Sequence, residues 1–267
     1  IRAKISGNAV SRSSINGERG FYNSLGGEDV IIWDKNSLSD FSEISPGDSG
    51  SVRFSLSPAP VFSSSGGILA DPNIKVDISI SGKQLVSGYA TQDLQNSSSG
   101  IIRLISDVGF NSKAFYYSGP FSNTGSVPPK VGSQTTYTIE WSVSNTANNI
   151  SRAVVRSTLP PWINFIGTIS PSGTDVVFNP STREIIWNVG RIQKGTGISG
   201  APKSVSFQVG FTPSLSQAAT TPVIINESVL TGHDDFANVD LRTTKPSLRT
   251  QLERDPGFPF NGGTVAQ

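Results

Sequence analysis

Apolar and polar residues change places at every step along several stretches of this chain. In KVGSQTTYTIEW, residues 130–141, Tyr137, Ile139 and Trp141 alternate with Thr138, Glu140 and Ser142. Successive side chains on a strand point to opposite faces, so this is the pattern of a strand with one face buried. Asn73–Ser81, NIKVDISIS, repeats it, with Ile74, Val76, Ile78 and Ile80 expected on the core side. Ser204–Phe211 repeats it again, with Val205, Phe207, Val209 and Phe211 on one side. No segment keeps a helical period over three turns, and turn signals recur about every 8 to 12 residues, the spacing of a sandwich. The expected fold is therefore all-β.

A recurring opener suggests two copies of one kind of domain. Gly132 before Tyr137-Thr138-Ile139-Glu140-Trp141 is echoed by Gly47 before Val52, Phe54 and Leu56. The stretch 120–129 is rich in Pro, Gly, Ser and Asn and reads as a linker. The chain then divides into four parts. Residues 1–27 are an N-terminal strand, either an arm or the end of a preceding module. Residues 28–127 and 128–250 form two tandem sandwiches, and 251–267 form an extended tail whose prolines and glycines predict looseness. Within the first sandwich, 63–67 and 95–100 read as loops, and 101–105 and 113–117 as strands. In the second, 152–157 is a strand ended by Leu159-Pro160-Pro161, since proline donates nothing to a ladder. Residues 175–178 and 184–189 make a hairpin, and Trp162, Phe165 and Ile166 cap one end of the core.

Composition narrows the function classes. Charged residues are 15% of 267 and the net charge is +1, against about 25% charged in an average domain. Neither a nucleic-acid footprint nor a polybasic membrane patch follows from that balance, and no apolar run reaches a membrane span of about 18 residues. With no cysteine, disulfides and thiolate chemistry are excluded. Methionine is absent even at position 1, so the chain is expected to be a processed product or a piece of something longer, a removed secretion signal being the simplest cause.

Few residues offer chemistry. His233 is the only histidine, so an acyl-transfer triad would need it beside Asp234 or Asp235. No Ser sits in a Gly-x-Ser-x-Gly elbow, and no catalytic residue is assigned. Asp234, Asp235 and Asp240, with Asn238, are the candidate oxygens for calcium. Their spacing departs from an EF-hand, and a solvated turn is the competing account. One His and no Cys do not fill a structural zinc site. An internal Lys–Asn isopeptide needs a buried acid, whereas Asp77 and Glu140 lie on polar strand faces. Asn96, Asn149 and Asn226 stand in N-x-Ser sequons that a Ser-rich chain produces by chance. Trp33, Trp141 and Trp187 read as core, with Trp162 the one expected to be partly exposed.

Gly132, Tyr137-Thr138-Ile139, Asn145-Thr146, Leu159-Pro160, Ile186-Trp187-Asn188-Val189-Gly190, Gly195 and the alternation from Val205 to Phe211 succeed one another in a recognisable order. In this, residues 128 to about 230 resemble the bacterial cell-surface repeat catalogued as domain of unknown function number eleven. Residues 28–127 share only the opener and layout. Members of that family carry an acid two positions before the Leu-Pro pair; here it is Ser157. The resemblance implies Ig-like Greek-key β-sandwiches strung in series on exported bacterial proteins, without catalytic residues. The resulting expectation is a structural component of an extracellular assembly, a filament or surface layer. Its subunits would join by strand addition through the Ile1, Ala3 and Ile5 face, with self-association as the partner interaction and no cofactor. The alternatives are an adhesin or carbohydrate-binding module taking a glycan or host-cell ligand, and a hydrolase with clustered carboxylates.

Overall fold

The computed structural model describes residues 1–24, 27–62, 67–84 and 91–267. It is nearly all-β and carries no α-helix among them. In chain order the strands are β1 Arg2–Ser6, β2 Asn16–Gly17, β3 Phe21–Asn23, β4 Asp29–Ile32, β5 Phe54–Ser55, β6 Asn73–Gln84 and β7 Gln92–Arg103. They continue as β8 Val108–Phe115, β9 Thr135–Asn145, β10 Ile150–Thr158, β11 Ile163–Ser170, β12 Val176–Asn179, β13 Glu184–Ile192 and β14 Lys203–Phe211. The last four are β15 Val223–Ile225, β16 Ser228–Asp234, β17 Val239–Lys245 and β18 Leu248–Arg249. The chain separates into two compact units, Ile1–Leu104 and Ile105–Gln267.

The first unit is built on one antiparallel sheet ordered β3-β4-β1-β6-β7, with a small β2–β5 ribbon. β1 is interior: Ala3 lies opposite Ile31 on one side and Ile78 on the other. Ala3, Ile5, Ile31, Trp33 and Ile74 form its core. Trp33 is pinned because its indole N–H donates to the Glu18 carbonyl at 2.9 Å while Phe54 packs 6.3 Å away. Gly20 passes so close that a Cβ there would lie 2.6 Å from Trp33 Nε1. The opener at Gly47 does share a left-handed backbone with Gly132. The strands after the two glycines differ, a two-residue β5 against the long β9.

The second unit is a sandwich of a four-stranded sheet, β11-β14-β9-β8, and a five-stranded sheet, β12-β13-β10-β16-β17. The chain changes sheet between β9 and β10, β10 and β11, β11 and β12, β13 and β14, and β14 and β16, so neighbours are mostly not consecutive, as in Ig-like Greek keys. Its core holds Tyr137, Ile139 and Trp141 of β9, Val205, Phe207, Val209 and Phe211 of β14, and Val155, Ile185 and Trp187 opposite them. Trp141 meets Phe207 edge-on at 5.0 Å, and its indole N–H donates to the buried Ser112 hydroxyl at 3.1 Å. The hairpin of β12 and β13 forms as its sequence predicts.

Four expectations need correction. The boundary lies at 104/105, not 127/128, because β8 pairs along β9 and belongs to the second unit. The Pro/Gly-rich stretch before β9 is no linker. It lies across β9 and buries that strand's polar side as well: Thr136 N–H donates to the Thr124 carbonyl at 2.8 Å, Thr124 N–H to Thr136 Oγ1 at 2.7 Å, and Asn123 Nδ2 to Thr138 Oγ1 at 3.0 Å. The 251–267 tail is tied down, with Leu252 and Val265 in the core and Ala266 N–H donating to the Pro129 carbonyl at 2.7 Å. Finally, 95–100 is not a loop but the middle of β7, paired residue by residue with β6. Of the loop expected at 63–67, residues 63–66 lie outside the described residues.

Candidate functional site

The lone histidine sits on the outer face of the five-stranded sheet. β10 bulges between Ser151 and Val154, and Arg152 takes a left-handed φ of 53°, a strained choice for a residue with a side chain. The register places Ser151 opposite His233 and His233 opposite Asp240, so the three share one face. His233 Nδ1 lies 2.8 Å from Asp240 Oδ1, and Arg152 Nη2 lies 3.6 Å from the same oxygen. The His233 hydrogen bond is the main reason the Asp240 carboxyl sits below its usual pKa; desolvation works against it, and the charges of His233 and Arg152 add smaller lowering effects. Arg152, Gly232, His233, Asp240 and Arg242 line a shallow open depression.

This row is not an acyl-transfer triad. The Ser151 hydroxyl gives its proton to Asp235 Oδ1 at 2.5 Å rather than to the imidazole. Asp240 is 83% exposed, so its ion pairs are screened and contribute little.

Asp234 has a different role from its neighbours. It is fully buried, and both carboxylate oxygens are saturated. Oδ2 accepts from Ser106 N–H and Asn148 Nδ2, each at 2.9 Å, and Oδ1 accepts from Phe236 N–H at 3.1 Å and Ala237 N–H at 2.9 Å. A carboxylate oxygen accepts about two good hydrogen bonds, so Asp234 has no lone pair left for an ion. Asp234 is thus a latch for the β16–β17 turn and for the entry to the second unit. Asp235 instead faces Ser151 and Arg191, and Asn238 closes the turn with its N–H on the Asp234 carbonyl at 2.8 Å. The three aspartates named as calcium candidates therefore do not converge, and no group of three metal-ligating side chains occurs among the described residues. Asp255, unremarkable in sequence, repeats the latch: it accepts from the N–H groups of Tyr116, Tyr117 and Ser118 at 2.6, 2.8 and 3.1 Å.

The tryptophans stand as read. Trp33, Trp141 and Trp187 are buried, and Trp162 is 39% exposed with its N–H held by the Val223 carbonyl at 2.8 Å. Asp77 pairs with Lys75 at the surface, and Glu140 lies opposite Lys113 on β8.

The predicted subunit interface is in the wrong place. Ala3 and Ile5 are buried, and β1 is paired on both edges, so Ile1, Ala3 and Ile5 offer no strand for addition. Among the described residues, β7 is an end strand of its sheet and is exposed along all twelve of its residues. The alternation on β6 holds, but only Ile74 reaches the core. Farther out, Ile78 and Ile80 are 41% and 46% exposed, and on the same face of β7 Leu94 and Ile102 are 50% and 59% exposed.

No protein-family model matches the chain, and no curated protein matches it. Among solved structures, it is similar to BcpA*(D312A), the major pilin subunit of Bacillus cereus, at a TM-score of 0.36 and 10% identity, covering 92% of this chain and 63% of that one. It is similar to the full-length major pilin SpaD from Corynebacterium diphtheriae at 0.34 and 9%, covering 70% and 60%. For the RrgB pilus protein from Streptococcus pneumoniae the values are 0.24 and 11%, covering 87% and 40%. The chain spans less than two thirds of the length of each pilin, and likenesses at this level carry no functional weight. No helix among the described residues is long and apolar enough to cross a membrane.

Proposed function

We propose that this chain is a non-enzymatic structural subunit of an extracellular bacterial surface assembly, kin to the Ig-like surface repeat that residues 128 to about 230 resemble. One observation carries the reading. Among the described residues, the first unit ends its sheet on the twelve-residue strand β7 and sets aliphatic side chains beside it. A long edge strand without proline or bulge invites another strand, and soluble proteins ordinarily blunt such edges. The polar residues support a scaffold too, since the buried carboxylates Asp234 and Asp255 are occupied by backbone amides. Light scattering after size exclusion, with electron microscopy, tests this: purified chain at rising concentration is expected to form defined oligomers or polymers. Monodisperse monomers up to millimolar concentration would refute it.

A second reading, an adhesin or carbohydrate-binding module, draws on Trp162. Its indole N–H is fixed while part of the ring stays exposed, as a sugar platform requires. A glycan-array signal abolished by Trp162→Ala would favour it over the assembly.

A further inference from the structure

Two Asp-Pro bonds occur in the chain, Asp71–Pro72 and Asp255–Pro256. An aspartate can break such a bond unaided. Its side-chain carboxylate reaches its own main-chain carbonyl carbon by closing a succinic anhydride ring, and the proline nitrogen leaves as a basic secondary amine. The fold treats the two bonds differently. Asp255 is buried, and its carboxylate is occupied by the N–H groups of Tyr116, Tyr117 and Ser118. Asp71 is exposed, and its backbone takes a left-handed φ of 48°, although a following proline favours extended backbone.

Negative charge gathers on the Asp71 carbonyl oxygen when its carbon is attacked, and two side-chain amides are aimed at that oxygen. Asn73 Nδ2 donates to it at 3.1 Å. Asn8 Nδ2 lies 3.5 Å from it and donates to the Ala70 carbonyl at 2.7 Å. The Asn8 amide is fixed in this sense because its Oδ1 accepts the Asn73 N–H at 2.9 Å. Gly7, at a φ of 113°, lets the chain bring Asn8 in, since a Cβ there would collide with the Asn73 carbonyl. Ala9 N–H holds that same carbonyl at 3.1 Å. Donors fixed in advance around a developing oxyanion lower the barrier to forming it.

We propose that the chain cuts itself between Asp71 and Pro72. A carboxylate oxygen of Asp71 attacks the Asp71 carbonyl carbon, and the new C–O bond puts negative charge on the carbonyl oxygen beside Asn8 and Asn73. The charge returns to re-form the carbonyl, the C–N bond to Pro72 breaks, and the proline nitrogen takes a proton from water. Water then opens the anhydride, leaving Asp71 with its side-chain carboxylate and a new α-carboxylate. Net, one water is consumed and nothing is oxidised or reduced. The halves stay together, because β1 precedes the cut, β6 follows it, and the two pair from Arg2–Ser79 to Ser6–Lys75. The product is a first unit whose interior strand β1 no longer has a covalent link to β6. The cut needs no partner molecule, so it goes beyond assembly and stands with or without it.

Purified full chain kept folded at neutral pH for days is expected to give fragments 1–71 and 72–267 on a denaturing gel, the second beginning at Pro72. Its elution on size exclusion is expected to stay that of uncut chain, the rate to be independent of chain concentration, and Asp255–Pro256 to remain whole. Asp71→Glu keeps the charge but lengthens the side chain, and is expected to stop the cut at an unchanged melting temperature. An oxyanion donor is worth about 10²–10³-fold in a dry site, so at this more exposed one Asn73→Leu is expected to slow the cut about tenfold. Chain unfolded in urea loses the placement of both amides, and is expected to cleave at least about tenfold more slowly, without preference between the two Asp-Pro bonds. A folded chain that stays whole overturns the proposal. So does a cut that runs equally fast in Asp71→Glu, in Asn73→Leu or in the unfolded chain.

Discussion

Asp234 is the residue whose removal the structure prices most directly. Its two oxygens accept four hydrogen bonds, two each, from Ser106, Asn148, Phe236 and Ala237. Asp234→Asn keeps the shape but turns one oxygen into an amine, so whichever way the amide lies, two donors meet a donor. A buried donor left unsatisfied costs about 1–3 kcal/mol, which places Asp234→Asn at roughly 2–6 kcal/mol. Asp234→Ala strips all four acceptors and is expected to cost at least as much. Since a domain has only about 5–15 kcal/mol of stability, either change takes a large share. The assay is urea denaturation followed by tryptophan fluorescence, with Trp141 and Trp187 reporting the second unit. Hydrogen exchange at Phe236 and Ala237 is expected to accelerate before global unfolding. If instead Asp234 holds an ion, chelation would reproduce the effect in the parent; addition of EDTA is expected to leave the parent's midpoint unchanged. Both variants falling within about 1 kcal/mol of the parent would refute the latch.

The same kind of contact sets three further outcomes. Burial alone would raise the pKa of Asp29, but the hydrogen bonds from Arg12 and Tyr22, each at 2.8 Å, hold it below the usual carboxylate range. Its contribution to the first unit is therefore complete above the unfolded value of about 3.9 and lost as pH falls through the lower folded value; Tyr22→Phe is expected to flatten that acid dependence, measured by melting temperature against pH. Truncation after residue 250 removes Leu252, Val265 and the Asp255 latch on Tyr116, Tyr117 and Ser118, and is expected to unfold the second unit at room temperature by near-UV circular dichroism; a truncated chain that melts like the parent would return the tail to the loose segment its composition suggests. Deletion of residues 1–10 removes an interior strand, so it is expected to unfold the first unit, detected as loss of hydrogen-exchange protection in β4 and β6, rather than to yield a folded monomer.

The two-residue alternation made most of the second unit legible. Tyr137, Ile139 and Trp141 face inward as their spacing demands, and so do Val205 to Phe211, because a core of that size admits one face of each strand. The site residues were less legible. Asp234, Asp235 and Asp240 read alike in sequence, yet the strand period sends Asp234 inward and Asp240 outward, while Asp235 begins the turn; only the ladder pairing of β10, β16 and β17 reveals that they part. Asp255 gave no signal, since its amide partners lie far away in sequence at Tyr116 and Tyr117.

The instructive difference is β6 and β7. Ile74, Val76, Ile78 and Ile80 look equivalent in the sequence, and all four do share one face. Whether a face is buried depends on what lies over it, and in the first unit Ile74 joins the core, Val76 packs against it partly buried, and Ile78 and Ile80 are exposed. The partner strand is harder still to read: QDLQNSSSGIIR has no apolar rhythm, because an exposed edge strand is held by its backbone ladder and needs no buried side chains. Alternation thus identifies a face without identifying its cover. That is why the N-terminal strand, with its clean Ile1, Ala3, Ile5 spacing, reads as the sticky element. A strand with one strongly apolar face is one its own sheet has use for, and here it is claimed from both sides.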